Sequence, residues 1–229
     1  MLAARYAWAA SFARDADVLE VACGAGLGLK WLAGVARSVE AGDVDDANCA
    51  RARGSGVVVR RMDALDLPFE AGSFDLVLLF EALYYLPCAA RFFGEARRVL
   101  RPGGRLLMTM ANPDWSGFNA SPSCSRYFSA DKLGNALAAG GFQGRVWAAF
   151  PEERGRASIA IGWVRRTAAR LGWIPKTMRG KAWLKRVFYG PLEVIPQALA
   201  PRPFDMGMLK EAARVRLDQY RVLYAEAVK

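Results

Sequence analysis

The sequence predicts an α/β fold built on a mostly parallel sheet with helices on both faces, and three observations predict it. Strand-like and helix-like stretches alternate through the first 150 residues, the signature of βαβ units. A glycine-rich turn in "DVLEVACGAGLGLKWLAG", Asp17 to Gly34, joins a short apolar strand to a helix. Helix stops rich in proline and glycine, such as Arg101-Pro102-Gly103-Gly104, separate the later elements.

The elements follow in order. Val18, Leu19, Val21 and Ala22, broken only by Glu20, give a strand at 18–22. Gly24, Gly26 and Gly28 come next at alternate positions, and Leu29, Trp31, Leu32 and Val35 recur at helical spacing over 28–37. Glycine is wanted where φ must be positive or where a ligand lies against bare backbone, and the following helix aims its free N–H groups into the turn. Further strands are expected at 38–42, 57–61, 74–80, 105–111 and 144–150, and helices at 46–53, 88–100 and 129–139, the last closed by Gly140-Gly141. In "QYRVLYAEAV", Gln219 to Val228, Tyr220, Val222 and Tyr224 alternate with Arg221 and Leu223, which reads as a final strand.

Composition narrows the chemistry. The chain has 229 residues, 53% of them hydrophobic, enough for one full domain with an appendage. No stretch reaches about 18 uninterrupted apolar residues, so neither a signal peptide nor a membrane span is expected and the setting is cytoplasmic. Cys23, Cys49, Cys88 and Cys124 are scattered without metal-ligand spacing, as in a reduced compartment, and no metal site is expected. Histidine is absent, which excludes Ser-His-Asp hydrolysis, HExxH zinc sites and any imidazole general base.

The net charge of +10 is uneven. Residues 1–150 hold 16 Lys/Arg against 15 Asp/Glu, while 151–229 hold 16 against 7. Residues 154–189 carry ten Lys/Arg, no acid, and Trp163, Trp173 and Trp183. Three segments are therefore expected: a core at 1–150, a basic, aromatic-rich helical insertion or lid at 151–218 that is not a separate domain, and a final strand at 219–229 returning to the core sheet. The insertion fits a lid packed on the core, contact with an anionic membrane surface, or, less well, nucleic acid.

The glycine turn departs from the dinucleotide fingerprint, because Leu29 stands where the third glycine of GxGxxG belongs. Several ordered features instead resemble the class I S-adenosylmethionine-dependent methyltransferases. Glu20-x-x-Cys23-Gly24-x-Gly26-x-Gly28 resembles the family's first motif, and Asp43, followed by Val44, stands where its ribose-binding acid stands, with Asp45 and Asp46 as rivals. "RMDALDLPFEAGSFDLVLLFEALYYL" resembles the third and fourth motifs, with Asp63-Ala64 at the adenine edge and Phe80 closing the fourth strand. "EARRVLRPGGRLLMTM" resembles the post-catalytic motif, and "YFSADKLGNALAAGGF" the helix before the sixth strand.

The resemblance implies a Rossmann-like, doubly wound, seven-stranded sheet and S-adenosylmethionine as cofactor. It implies methyl transfer to a small-molecule, sugar or lipid-linked acceptor. Glu20 would orient the turn or the cofactor's ammonium. Glu81 would lie near the transferable methyl, with Tyr84 and Tyr85 opening the next helix and walling the pocket. Asn112, Trp115, Phe118 and Asn119, after the fifth strand, would line the acceptor side. Two other classes share parts of the pattern: a non-catalytic S-adenosylmethionine-binding regulator and a nucleic-acid methyltransferase using the basic segment.

Overall fold

A computed structural model describes residues 1–121, 124, 126–152 and 199–229. In chain order the elements are α1 (Leu2–Ala13), β1 (Asp17–Val21), α2 (Leu29–Ala33), β2 (Ser38–Asp43), α3 (Asp46–Ala52), β3 (Val58–Arg61) and β4 (Phe74–Phe80). They continue with α4 (Ala89–Val99), β5 (Leu100–Ala111), α5 (Ala130–Ala139), β6 (Gln143–Pro151), β7 (Lys210–Glu211) and β8 (Tyr220–Val228).

One sheet holds all these strands in the order β3-β2-β1-β4-β5-β8-β6-β7. The first five run parallel, and β8 lies antiparallel between β5 and β6. The architecture is the doubly wound, Rossmann-like α/β fold that the alternation predicts. Seven strands are those expected; the eighth, β7, is a two-residue edge pairing with Trp147 and Ala148, too short to leave a periodic signal.

Burial follows the period of two along each strand. Leu19, Val21, Val77, Leu79, Leu106 and Met108 face α4 and α5, where Phe92, Phe93, Leu133 and Leu137 are buried. Val18, Leu76, Leu78, Leu107 and Tyr224 face the opposite side, under α1 and α2, against Trp8, Trp31 and Leu32. With helices on both faces, β1 is buried from Val18 to Val21 and β4 from Leu76 to Phe80, which is why both read as near-continuous apolar runs. At the amino ends of these strands Arg37 and Arg101 each pair with both Asp17 and Asp75, tying β1, β4 and β5 at the edge remote from the crevice described below.

Boundaries shift for local reasons. α2 stops at Ala33, where the Gly34 N–H turns back to Leu32 and Trp31, short of the expected 37. Tyr84 and Tyr85 lie in a single 3₁₀ turn, Leu83–Tyr85, and not in the next helix, which starts at Ala89. The Arg101–Gly104 turn is absorbed into β5 as a bulge: the pairing jumps from Phe74–Leu100 to Leu76–Arg105.

α1 was not legible in the sequence. "LAARYAWAASFA" has alanine on every side and no capping side chain, so the 3.6 period is weak. Packing decides its place: Tyr6, Trp8 and Ala9 are buried, and Trp8 meets Trp147 and Tyr224 edge-on. Residues Gln197–Lys229 belong to the same compact unit as Met1–Pro151. Within it Leu209 and Ala212 are buried, and the Leu199 N–H donates to the Leu27 carbonyl at 3.1 Å. The part of the expected insertion from 199 to 218 thus packs on the sheet. The basic stretch 154–189 lies outside the described residues. Among those described, no helix is long and apolar enough to cross a membrane.

One glycine ties α1 to the turn after β1. A Cβ on Gly28 would stand 2.1 Å from the Tyr6 ring, and that ring is fully packed. Gly28→Ala is expected to destabilise the fold by about 1–3 kcal/mol through overpacking. Urea unfolding measures this, and a loss below about 0.5 kcal/mol would mean that α1 yields easily.

Candidate functional site

Strand order reverses between β1 and β4, and in open α/β sheets ligands bind in the crevice outside the carboxyl ends at such a switch point. A cavity of about 540 Å³ lies there. The ends of β1 and β4 each leave the sheet through a left-handed residue: Ala22 has φ +56° and Glu81 has φ +55°. Both line the cavity. An L-residue in this region costs about 1–2 kcal/mol, and such strain concentrates at functional sites.

The β1 exit forms the glycine turn. Gly24 has φ +57° and open space where a side chain would project, and its N–H donates to Asp43 Oδ2 at 2.9 Å. Gly26 and Gly28 have a different reason to be glycine. Side chains there would collide with Ala52 of α3 and Tyr6 of α1, so they let two helices close on the turn. Cys23 points its side chain into the core with Leu29, Ala41 and Cys49, and burial pushes its thiol far up, leaving only backbone for a ligand.

Asp43, at the end of β2, is 7% exposed and lines the cavity. Its Oδ1 accepts from the Asp45 N–H at 3.0 Å and from Asn48 Nδ2 at 3.2 Å. A carboxylate has about four acceptor positions, so three fixed donors orient it and leave one. The two rival acids have other duties: Asp45 caps α3 through the Ala47 N–H, and exposed Asp46 pairs with Arg61. Val44, 62% exposed, and buried Met62 lie on the same wall. Asp63 and Ala64 are also there; Asp63 Oδ1 holds the Leu65 N–H at 2.9 Å.

Across the crevice stand Phe80, Glu81, Ala82 and Tyr85. The Glu81 N–H donates to the Thr109 carbonyl at 2.8 Å. Its Oε2 accepts from the Tyr84 hydroxyl at 2.9 Å, and its Oε1 lies 3.4 Å from Arg5 Nη2 of α1. Tyr84 sits behind Glu81 and off the cavity wall, packed on Tyr127, which in turn meets Phe118. Burial and the Glu81 charge push its phenol well above the ordinary range, so it stays a donor. Asn112, expected at the acceptor side, is fully buried and structural: its amide donates to the Leu217 and Tyr220 carbonyls, and its Oδ1 accepts from the Asp114 N–H. Trp115 carries Arg221 over its ring and is not on the cavity wall, nor is Asn119.

Glu20 lies beneath the turn, 2% exposed. Its Oε1 accepts from the Tyr6 hydroxyl at 2.7 Å, and its Oε2 is buried with no partner among the described residues. Sequence reasoning missed Arg5, Tyr6, Asn48 and Met62; the first two sit on the helix that left no signal, and the others are ordinary in type and spacing.

Part of the chain is similar to known proteins. Residues 19–108 match the family described as "Methyltransferase domain". A probable S-adenosylmethionine-dependent methyltransferase of Mycolicibacterium smegmatis is 42% identical over 98 residues, 42% of this chain and 38% of that protein. Phthiotriol/phenolphthiotriol dimycocerosates methyltransferase 1 of Mycobacterium ulcerans is 43% identical over 102 residues, 42% of this chain and 38% of that one. A fatty-acid O-methyltransferase of Mycolicibacterium smegmatis is 40% identical over 102 residues, 42% and 37% of the two chains. The chain thus spans under two fifths of the length of these curated relatives. Among solved structures, an S-adenosylmethionine-dependent methyltransferase of Thermotoga maritima, titled a possible histamine N-methyltransferase, superposes with TM-score 0.63 at 16% identity, covering 100% of this chain and 88% of its own, which bears on fold alone.

The fold is a Rossmann-like α/β domain with a crevice at its switch point. Its segment 19–108 is similar to the methyltransferase domain family and to proteins named as S-adenosylmethionine-dependent methyltransferases.

Two outcomes follow from this geometry. Ala22→Gly relieves the left-handed strain at the cost of a looser unfolded chain, so thermal unfolding is expected to show a gain of up to about 1 kcal/mol. A loss would mean that the Ala22 methyl packs where φ suggests strain. The second concerns Glu20, whose carboxyl is pushed up to about 7 by burial, against the pull of the Tyr6 hydroxyl and Arg5. Below the ordinary carboxylate value both states are protonated and Glu20 costs nothing. Between about pH 4.5 and 7 the unfolded chain ionises while the buried carboxyl keeps its proton, so stability falls by up to about 3 kcal/mol relative to a neutral side chain and levels off above about 7. Glu20→Gln is expected to gain on the wild type by that amount between about pH 4.5 and pH 8 in urea unfolding; a pH-independent difference would refute the assignment.

Proposed function

We propose that this chain transfers a methyl group from S-adenosylmethionine to an apolar small-molecule acceptor, with a lipid the favoured class. The observation that carries the reading is the switch-point cavity, with Asp43 fixed on one wall and Glu81 on the other. The residues present fit the cofactor. Gly24 leaves open space over bare backbone, Asp43 keeps an acceptor position for a ribose hydroxyl, and Glu20 Oε2 awaits a donor. Asp63 and the Ala64 N–H suit an adenine edge, with Val44 and Met62 as the apolar faces of its slot. When bound, the cofactor supplies a sulfonium methyl open to in-line displacement, for which holding the acceptor at about 3 Å accounts for much of the rate gain.

The acceptor wall is apolar: Ala82, Tyr85, Leu86 and Pro87 line it, and Tyr85 is 54% exposed at the rim. That lining, and relatives named for phthiotriol lipids and fatty acids, favour a lipid over a sugar or a nucleic acid. Glu81, held by Tyr84 and Arg5, orients the acceptor's polar atom beside the methyl. With Oε2 accepting from the Tyr84 hydroxyl and Oε1 beside Arg5, it is built to hold a donor more than to travel with a proton.

Calorimetry with S-adenosylmethionine tests the cofactor half. Asp43→Ala is expected to weaken binding by about 1.5–3 kcal/mol, the range for hydrogen bonds to a charged group. Unchanged affinity removes Asp43 from the site. Incubation with methyl-labelled cofactor and a lipid extract tests the acceptor half: label should appear in the organic phase, and cofactor binding without transfer to any fraction would favour a non-catalytic binding protein.

A further inference from the structure

Two aromatic side chains, Phe80 and Tyr85, lie on the cavity wall, and they differ. Phe80 is buried against Tyr6 and belongs to the core under α1. Tyr85 is 54% exposed at the rim. A half-exposed side chain ordinarily keeps its rotamer freedom, and fixing it costs a ligand affinity. This one is already held. Its ring packs on Tyr84 with centroids 4.7 Å apart, Tyr84 packs on Tyr127 at 5.1 Å, and Tyr127 meets Phe118 edge-on at 4.7 Å.

The hydroxyls fix the other end of this stack. Tyr127 donates to the Cys124 sulfur at 3.0 Å and accepts from the Ser121 N–H at 3.0 Å. The Tyr85 hydroxyl bonds to the same thiol, and burial together with Cys124 holds its phenol above the ordinary range. One sulfur thus ties two tyrosines that are distant in the chain. The turn Leu83–Tyr85 also delivers the Tyr84 hydroxyl to Glu81 Oε2. Glu81, Ala82 and Tyr85 all line the cavity, and Ala82 presents only a methyl. The wall therefore carries a fixed carboxylate and a fixed ring with little bulk between them. An alkyl chain needs no such fixed face, since Leu65, Leu86 and Pro87 already supply apolar surface. An aromatic face separates a planar partner from a puckered one, because paired rings gain about two- to tenfold in affinity beyond what buried area gives.

We propose that Tyr85 is the specificity-determining residue for the acceptor, selecting a lipid whose polar oxygen sits on a planar aromatic ring, a phenol in preference to an aliphatic alcohol. Cys124 and Tyr84 are the positioning residues that hold the ring. The inference rests on the reading that the switch-point cavity serves methyl transfer. The phenol ring lies on Tyr85 while its hydroxyl donates to Glu81, which has acceptor positions beyond those that Tyr84 and Arg5 use. On transfer the new O–CH3 bond forms as the S–CH3 bond breaks, the bonding pair stays on sulfur, and the hydroxyl proton passes to water at the open rim.

Calorimetry on the full chain saturated with S-adenosylhomocysteine tests this with two probes, 4-hexylphenol and 4-hexylcyclohexanol. They share a hydroxyl and a tail and differ in the planarity of the ring. The wild type is expected to bind the phenol at least about threefold tighter. Tyr85→Leu, which keeps the rim apolar, should bring the two probes to about equal affinity while S-adenosylhomocysteine stays within about twofold of the wild type. Cys124→Ala should lower the preference for the phenol, and Cys124→Ser, which restores an acceptor for both hydroxyls, should recover it. No preference in the wild type, or one that Tyr85→Leu leaves intact, overturns the proposal. So does an equal loss of both probes, which would make Tyr85 a plain apolar contact, or an equal loss of S-adenosylhomocysteine, which would move the ring to the cofactor. If the wild-type chain does not bind S-adenosylhomocysteine, the reading beneath fails and the proposal with it, an outcome distinct from cofactor binding without discrimination between the rings.

Discussion

The site depends on one constraint: β1 and β4 are neighbours in the sheet but their chains must leave it in opposite directions. Each turns away within a single residue, and both of those residues are left-handed without being glycine. The strain is tolerated because the strands beneath are buried on both faces and fixed by ladders on both sides. A rigid sheet thus sets the width of the crevice, while loops at its rim supply the polar groups. Glu81 gains its aim from this arrangement, since its N–H is tied to Thr109 on β5 while its side chain turns back over the crevice.

The opposing wall is built by a different device. Asp43 ends β2 with its carboxylate bound by three donors from three places: the glycine turn, the start of α3 and the Asn48 amide. Rotating it would break all three. A buried carboxylate immobilised this way would lose little entropy on meeting a hydroxyl.

Much of this was legible in the sequence because it follows from period and turn chemistry. The parallel strands announce themselves as buried apolar runs, and β8 as an alternation. Asp43, Asp63, Phe80 and Glu81 all reach the cavity because each sits at or just past a strand end, a position fixed by the length of the run before it. What stayed hidden was set by packing at a distance. Gly28 looks like part of a ligand turn, yet it is glycine because Tyr6, some twenty residues away, needs the space. Asn112 follows a strand end like Glu81, but its amide closes on Leu217 and Tyr220, which no local pattern foretells. α1, alanine-rich and uncapped, shows its inward face only when Trp8 and Tyr6 meet the sheet.

That helix meets the glycine turn and the end of β4. Tyr6 is required for packing, since it fills the space Gly28 leaves and meets Phe80 edge-on at 5.5 Å. Its hydroxyl is also what makes a buried Glu20 tolerable, by meeting one of the two oxygens. Had Arg5 taken the other, the corner would be neutral and closed. Its guanidinium instead leans toward Glu81, and one carboxylate oxygen is left waiting. The chain thus forgoes some stability at this corner, beneath the glycine turn rather than in the Leu- and Phe-rich core under α4. A fold selected for stability alone would put an apolar side chain at position 20, as it does at Val18 and at Leu78 beside it.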